Sequence, residues 1–198
     1  MIDFRKSVKK SLFYDRQQYI EFLNDDFTPS VKWYGVSFQL PGVFEGKDIG
    51  LDRFVEVYEC WFKNIVISLD NGSHWIVNHD RKGLNWLPND EDNLTSLRAL
   101  FKERNIPNTF KGALVFTMDD LLAFTKDLIS YPYAVFNEDG LLYADLDISH
   151  TELPFIIKIS GHLCIDFLST DQKLLREVAT KNLSSQFIIK EYRGTLLG

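Results

Sequence analysis

Three dipeptides constrain this chain more than anything else in it: Asn71-Gly72, Asp139-Gly140 and Ser160-Gly161. Each sits inside a stretch rich in β-branched and aromatic residues: "NIVISLDNGSHWIVNHD", "YAVFNEDGLLYADLDI" and "LPFIIKISGHLCIDFLS". Glycine reaches positive φ at no steric cost, so such pairs close tight hairpins, and Asn-Gly is the strongest signal of the kind. The first hairpin is expected to join strands over 65–70 and 74–79. Strands joined by tight hairpins run antiparallel; parallel neighbours need a long crossover. Three hairpins therefore commit much of the chain to an antiparallel sheet.

Helical periodicity fills the gaps. Residues from about 5 to 24 are expected to form a helix with the stripe Val8, Leu12, Tyr19, Phe22 and Leu23, ended by Asn24-Asp25-Asp26. A strand over 31–40 and a Gly-rich loop precede a helix over 53–63, capped by Asp52, with Phe54, Val57, Tyr58, Trp61 and Phe62 on one face. Asn89 or Asp90 caps the next helix, which buries Leu94, Leu97, Leu100 and Phe101 and stops at Asn105 and Pro107. After a strand at 111–116, Thr117 and Asp120 form a capping-box start, and Pro132 closes that helix. Thr170 or Asp171 caps a helix in "TDQKLLREVATKN", and "QFIIKEY" is the last strand. The expected fold class is α+β: a mostly antiparallel sheet built from several hairpins, with about five helices packed on it. One domain over 1–198 is expected, with a division near 88–90 into two α/β lobes as the alternative. Regular βαβ alternation and a Gly-rich first turn are both missing, which excludes a doubly wound fold.

At this length the chain buries roughly 70% of its unfolded surface and needs neither disulfide nor metal to fold. Cys60 and Cys164 read as two buried thiols of a reducing compartment, and no apolar run resembles a signal peptide or a membrane span. A cytoplasmic protein is expected, without membrane association. The net charge of −6 argues against direct nucleic-acid binding. That charge is uneven: from Asp119 to Glu152 eight acids face one base, Lys126, a net −7 in that segment alone.

No phosphate-binding glycine loop, nucleophile elbow or H-E-x-x-H pattern is present. The stretch nearest to chemistry is "SHWIVNHDRKGLNWLPNDEDNLTSL". His79-Asp80, Gly83 and Asn93-Leu94 occur in the order seen in the HNH nuclease finger, which this stretch resembles over about 25 residues. The rival to a binding module is accordingly a metal-dependent hydrolase or nuclease using His79 and Asp80, with His150 or His162 as further catalytic candidates. The stretch departs from the pattern where a last metal ligand belongs, since Phe101 or Lys102 stands there. A hairpin end, a Gly/Pro loop and an acidic helix start account for the same residues. His74 and His79, five apart, face opposite sides of a strand. In "HLCIDF", Cys164 alternates onto one face with His162 and Asp166, a face either polar or a second buried layer, where a structural cysteine is the simpler reading.

The leading expectation is a non-enzymatic, cytosolic protein-binding module without metal or cofactor. In style the chain resembles the small bacterial immunity proteins of polymorphic toxin systems, a likeness of composition with no motif behind it. Its Lys, Asn, Ile and Phe usage suggests an AT-rich bacterial genome. An acidic face would mask a basic toxin, with Glu138, Asp139, Asp145 and Asp147 as binding carboxylates and Trp75 and Trp86 as aromatic anchors. Asp145 and Asp147, two apart on a strand, point to one side, with Leu146 and Ile148 inward. A structural homo-oligomer is the third reading.

Overall fold

The computed structural model describes residues 2–7, 11–23, 32–42, 50–89, 93–137 and 139–192. Its strands are β1 (Asp3–Arg5), β2 (Tyr34–Gln39), β3 (Trp75–His79), β4 (Ala113–Phe116), β5 (Leu146–His150), β6 (Phe155–Ser160), β7 (Cys164–Ser169) and β8 (Ile188–Tyr192). They form one sheet in the order β1-β4-β3-β5-β6-β7-β2-β8, antiparallel at every pairing. Strands from before and after residues 88–90 are interleaved in that order: β3 lies between β4 and β5, and β2 between β7 and β8. Among the described residues, six helices accompany the sheet: α1 (Arg16–Leu23), α2 (Leu51–Ser68), α3 (Thr95–Glu103), α4 (Met118–Ala123), α5 (Thr125–Ala134) and α6 (Gln172–Lys181). The α+β architecture read from the sequence is the one observed. Among the described residues, no helix is long and apolar enough to cross a membrane.

Strand alternation gives the sheet two unlike faces. One carries Val36, Phe38, Trp75, Val77, Ile148, Ile157, Ile159, Ile165 and Phe167 into the main core, against apolar residues of α2 through α6. The opposite face is partly polar, and α1 lies on it, where Tyr19, Phe22 and Trp33 pack on Ile156 and Leu168.

Of the three turn signals, Ser160-Gly161 closes a sheet hairpin: Ser160 pairs with Cys164, and Leu163 takes a left-handed φ of 57° in the turn. Asp139-Gly140 closes a small hairpin outside the sheet, with Phe136 bridged to Leu142. Asn71-Gly72 is no hairpin. Residues 65–68, expected in a strand, are the last turn of α2. Phe54, Tyr58, Phe62, Ile65 and Val66 recur every three or four residues and are all fully buried, so the stripe carries the helix through β-branched residues. Asn71-Gly72 then turns helix into strand, with the Asp70 carboxylate accepting from the Gly72 N–H at 3.1 Å.

Other boundaries moved for local reasons. The segment expected to start a helix at residue 5 ends edge strand β1 instead, and the helix begins at Arg16, where Asp15 accepts the Gln17 N–H at 2.8 Å. Val8 and residues 24–26 lie outside the described residues. Helix α2 opens at Leu51 after Gly50, so Asp52 sits inside its first turn instead of capping it. Helix α3 starts only at Thr95. Asn89, read as a cap, donates from its amide to the Phe136 carbonyl at 3.1 Å, and Asp90 lies outside the described residues. Pro132 is tolerated within α5, which continues to Ala134. The Thr117 and Asp171 caps are present as read: Thr117 Oγ1 accepts from the Asp120 N–H at 3.2 Å and Asp171 from the Leu174 N–H at 3.0 Å.

Candidate functional site

The register of the sheet lines up an uncommon row. On the α1 side, Asn78, Asp147, Lys158, Asp166 and Ser37 stand directly opposite one another on β3, β5, β6, β7 and β2, with Lys190 of β8 next to Ser37. Asp147 is 0% exposed, Asp166 2% and Lys158 6%. Lys158 Nζ lies 3.0 Å from Asp145, 3.6 Å from Asp80 and 3.8 Å from Asp147. Phenols close the row from above. Tyr19 of α1 donates to Asp147 Oδ1 at 2.8 Å, Tyr192 of β8 donates to Asp166 Oδ2 at 2.8 Å, and Tyr14 bonds Ser149 at 3.1 Å. Arg16 donates to the carbonyl oxygens of His79 and Asp80, tying the start of α1 to the exit of β3. Burial pushes the carboxyls of Asp147 and Asp166 up from their ordinary range. Burial opposes the charge on Lys158, but the carboxylates around it outweigh that penalty and hold the ammonium charged. Such a row can hold protons and dock α1.

The histidines do not converge. His79 and His150 occupy opposite ends of the β3–β5 pair on the core face, opposite Leu146 and Trp75. His79 Nε2 is 2.7 Å from the Tyr131 hydroxyl and its ring lies 4.6 Å from Trp86; burial, helped by the charge of Arg16, lowers its pKa to about 3. His150 Nδ1 accepts the N–H groups of Glu152 and Leu153 at 3.1 and 3.0 Å, and burial likewise favours its neutral form. His162 is exposed in the β6–β7 turn, and Asp80 is engaged with Lys158. Among the described residues, no three His, Cys, Asp or Glu side chains are placed to hold a metal ion. Phe101, where the finger pattern needs a ligand, belongs to the core.

Several residues expected on a binding surface lie inside. Trp75 and Trp86 are fully buried, and the Trp86 indole donates to the Gly112 carbonyl at 2.9 Å. Asp147 points away from Leu146 and Ile148 as alternation requires, but α1 covers that side. Asp145 keeps 22% of its side chain exposed and accepts the Gly161 N–H at 2.8 Å; Asp139 is exposed, and Glu138 lies outside the described residues. Cys164 shares its face with Asp166, its thiol pushed up to about 12 by burial and then by that carboxylate, whereas Cys60 is exposed on α2 rather than buried.

The hairpin at Asp139-Gly140 was read from the sequence; the feature missed there is the apolar surface that it exposes. Phe136, Leu141 and Leu142 are 41%, 65% and 45% exposed. The turn is braced, not loose: Asn137 Oδ1 accepts the N–H groups of Asp139 and Leu141 at 3.0 and 2.8 Å. Leu142 abuts the β6–β7 turn, since a Cβ placed on Gly161 would lie 2.9 Å from it. Asp139, Asp145 and exposed His162 therefore share one end of the sheet with three apolar side chains. The available signal was Leu141-Leu142 directly after a turn glycine, where polar residues are usual. No protein family, curated protein or solved structure matches the chain.

Proposed function

We propose that the chain is a non-enzymatic protein-binding module, of the immunity or antitoxin kind, that engages a basic partner through the 136–142 hairpin and the carboxylates beside it. The observation that carries this reading is the exposure of Phe136, Leu141 and Leu142 on one braced hairpin. Scattered exposed apolar residues need no explanation, but three on a seven-residue hairpin form a patch of the kind that marks interaction sites. The hairpin lies within the segment of net charge −7, whose field would speed encounter with a cationic surface while the apolar side chains supply the desolvated centre. Asp139 and Asp145 take the polar rim. Trp75 and Trp86 serve the core beneath.

The test compares proteins retained from the native cytoplasm by the wild type and by Leu141→Asp/Leu142→Asp. The reading predicts a stoichiometric basic protein on the wild type, absent from the double variant, whose melting temperature stays within a few degrees. Equal retention by both forms, or recovery of the wild type alone, contradicts it. Concentration-dependent dimerisation abolished by the same substitutions would assign the patch to a second copy of this chain instead.

A further inference from the structure

The buried row holds too many carboxylates for its cations. Around Lys158 stand Asp80 after β3, Asp145 before β5 and Asp147 within it, with Asp166 directly opposite on β7. The other groups on this side are Arg16, committed to two carbonyls, the hydroxyls of Tyr14, Tyr19 and Tyr192, the Cys164 thiol, and exposed Lys190 at the far end beyond Ser37. Lys158 lies closest to Asp145, not Asp147.

A second observation concerns hydrogen bonds. Asp147 Oδ2 and Asn78 Oδ1 are buried acceptors with no donor, and they belong to residues directly opposite one another. The Asn78 amide nitrogen is committed to the His79 carbonyl at 2.8 Å. Side chains of an opposed antiparallel pair lie close enough to bond, with Cβ atoms about 5 Å apart. Two acceptors left facing a dry interior are costly, and one proton between them satisfies both.

We infer that Asp147 is a neutral carboxylic acid at physiological pH, its Oδ2 proton donated to Asn78 Oδ1, and that this neutral acid is the post on which α1 docks. In this state Oδ1 remains the carbonyl oxygen that accepts from Tyr19, so every polar atom of the carboxyl is used. Ionisation removes the proton to solvent, leaves Asn78 Oδ1 without a donor, and adds a third anion to Asp145 and Asp80 around Lys158. The sign follows from a folded-state carboxyl held above its ordinary range by burial. Its contribution is complete below the unfolded value and is lost as pH rises through the folded one. Helix α1 is thereby a strap that loosens toward alkaline pH.

Infrared difference spectroscopy, combined with amide hydrogen exchange over residues 16–23, tests this. Wild type at pH 7 should show a protonated-carboxyl C=O band that is lost in Asp147→Asn and kept in Asp166→Asn. Exchange in α1 should speed up several-fold between pH 6 and pH 9 beyond the intrinsic rate change. Asp147→Asn, which replaces the acid by a neutral donor–acceptor of the same shape, should keep α1 protected and flatten that dependence. The inference is overturned if wild type shows no such band, or if the band vanishes only in Asp166→Asn. It is equally overturned if Asp147→Asn exposes α1 at pH 6 as fully as Asp147→Ala does. Absence of the band in wild type overturns the inference even where a variant fails to fold.

Discussion

His79 shows how one residue's partners fix its chemistry. The Tyr131 hydroxyl has a single proton and donates it to the Trp86 carbonyl at 2.7 Å, so at its 2.7 Å contact with His79 it must accept. The imidazole is therefore the neutral Nε2–H tautomer, a donor in the core and a poor candidate for metal ligation through that nitrogen. With a folded value of about 3 against 6.5 in the unfolded chain, its contribution is complete above pH 6.5 and is lost as pH falls toward 3. Nitrogen-15 NMR should show the Nε2–H tautomer unchanged from pH 8 to pH 5; a titration midpoint near 6.5 would refute the assignment. His79→Ala should cost about 2–4 kcal/mol in urea unfolding, from the lost bond and the cavity left against Trp86. In the sequence this residue looked like a ligand because His-Asp precedes a Gly/Pro loop. The partners that make it structural, Trp86 and Tyr131, belong to a loop and to α5, which no local pattern connects to it.

At the scale of elements, legibility followed the range of the forces involved. The Thr117 and Asp171 caps were readable because each bond spans three residues. Strand β7 was readable from alternation, and the turn was placed correctly near Ser160-Gly161 although Leu163, not the glycine, takes the left-handed conformation. Helix α2 was misread at its end because Asn71-Gly72 and the β-branched Ile65, Val66 and Ile67 argue locally for a hairpin, while burial of one stripe decides for helix. The Asp147–Lys158 row was invisible for the opposite reason. Alternation marks Asp147 as opposite to Leu146, but only a helix 128 residues upstream makes that side an interior. Edge strand β1 offers a test at this scale. A Cβ on Gly112 would lie 2.1 Å from the Arg5 carbonyl oxygen, a backbone atom that can yield only if β1 moves, and 2.5 Å from the Phe110 ring. Gly112→Ala should detach β1 from β4 at a cost of about 1–3 kcal/mol. Amide protection should be lost at residues 3–5 while β3 and β5 keep theirs; unchanged protection at 3–5 would contradict the packing.

For the whole molecule, the sheet separates two tasks. Its core face, filled by aromatic and branched residues against α2 to α6, supplies stability. Its other face holds a charged row under α1. At the end of the sheet where β6 turns into β7, the apolar hairpin projects among carboxylates, away from both. The acidic bias of residues 119–152 was legible as charge, but not its division: Asp127 and Asp147 are buried, whereas Asp119, Asp139 and Glu152 are exposed. Amide hydrogen exchange on the chain alone and with its captured partner bound tests the hairpin as the docking surface. Protection gained at residues 136–142 and in the β6–β7 turn, with α2 and β1 unchanged, is the predicted footprint. Protection confined to α2 or to the β8 edge, leaving the hairpin as exchangeable as in the free chain, would contradict the account.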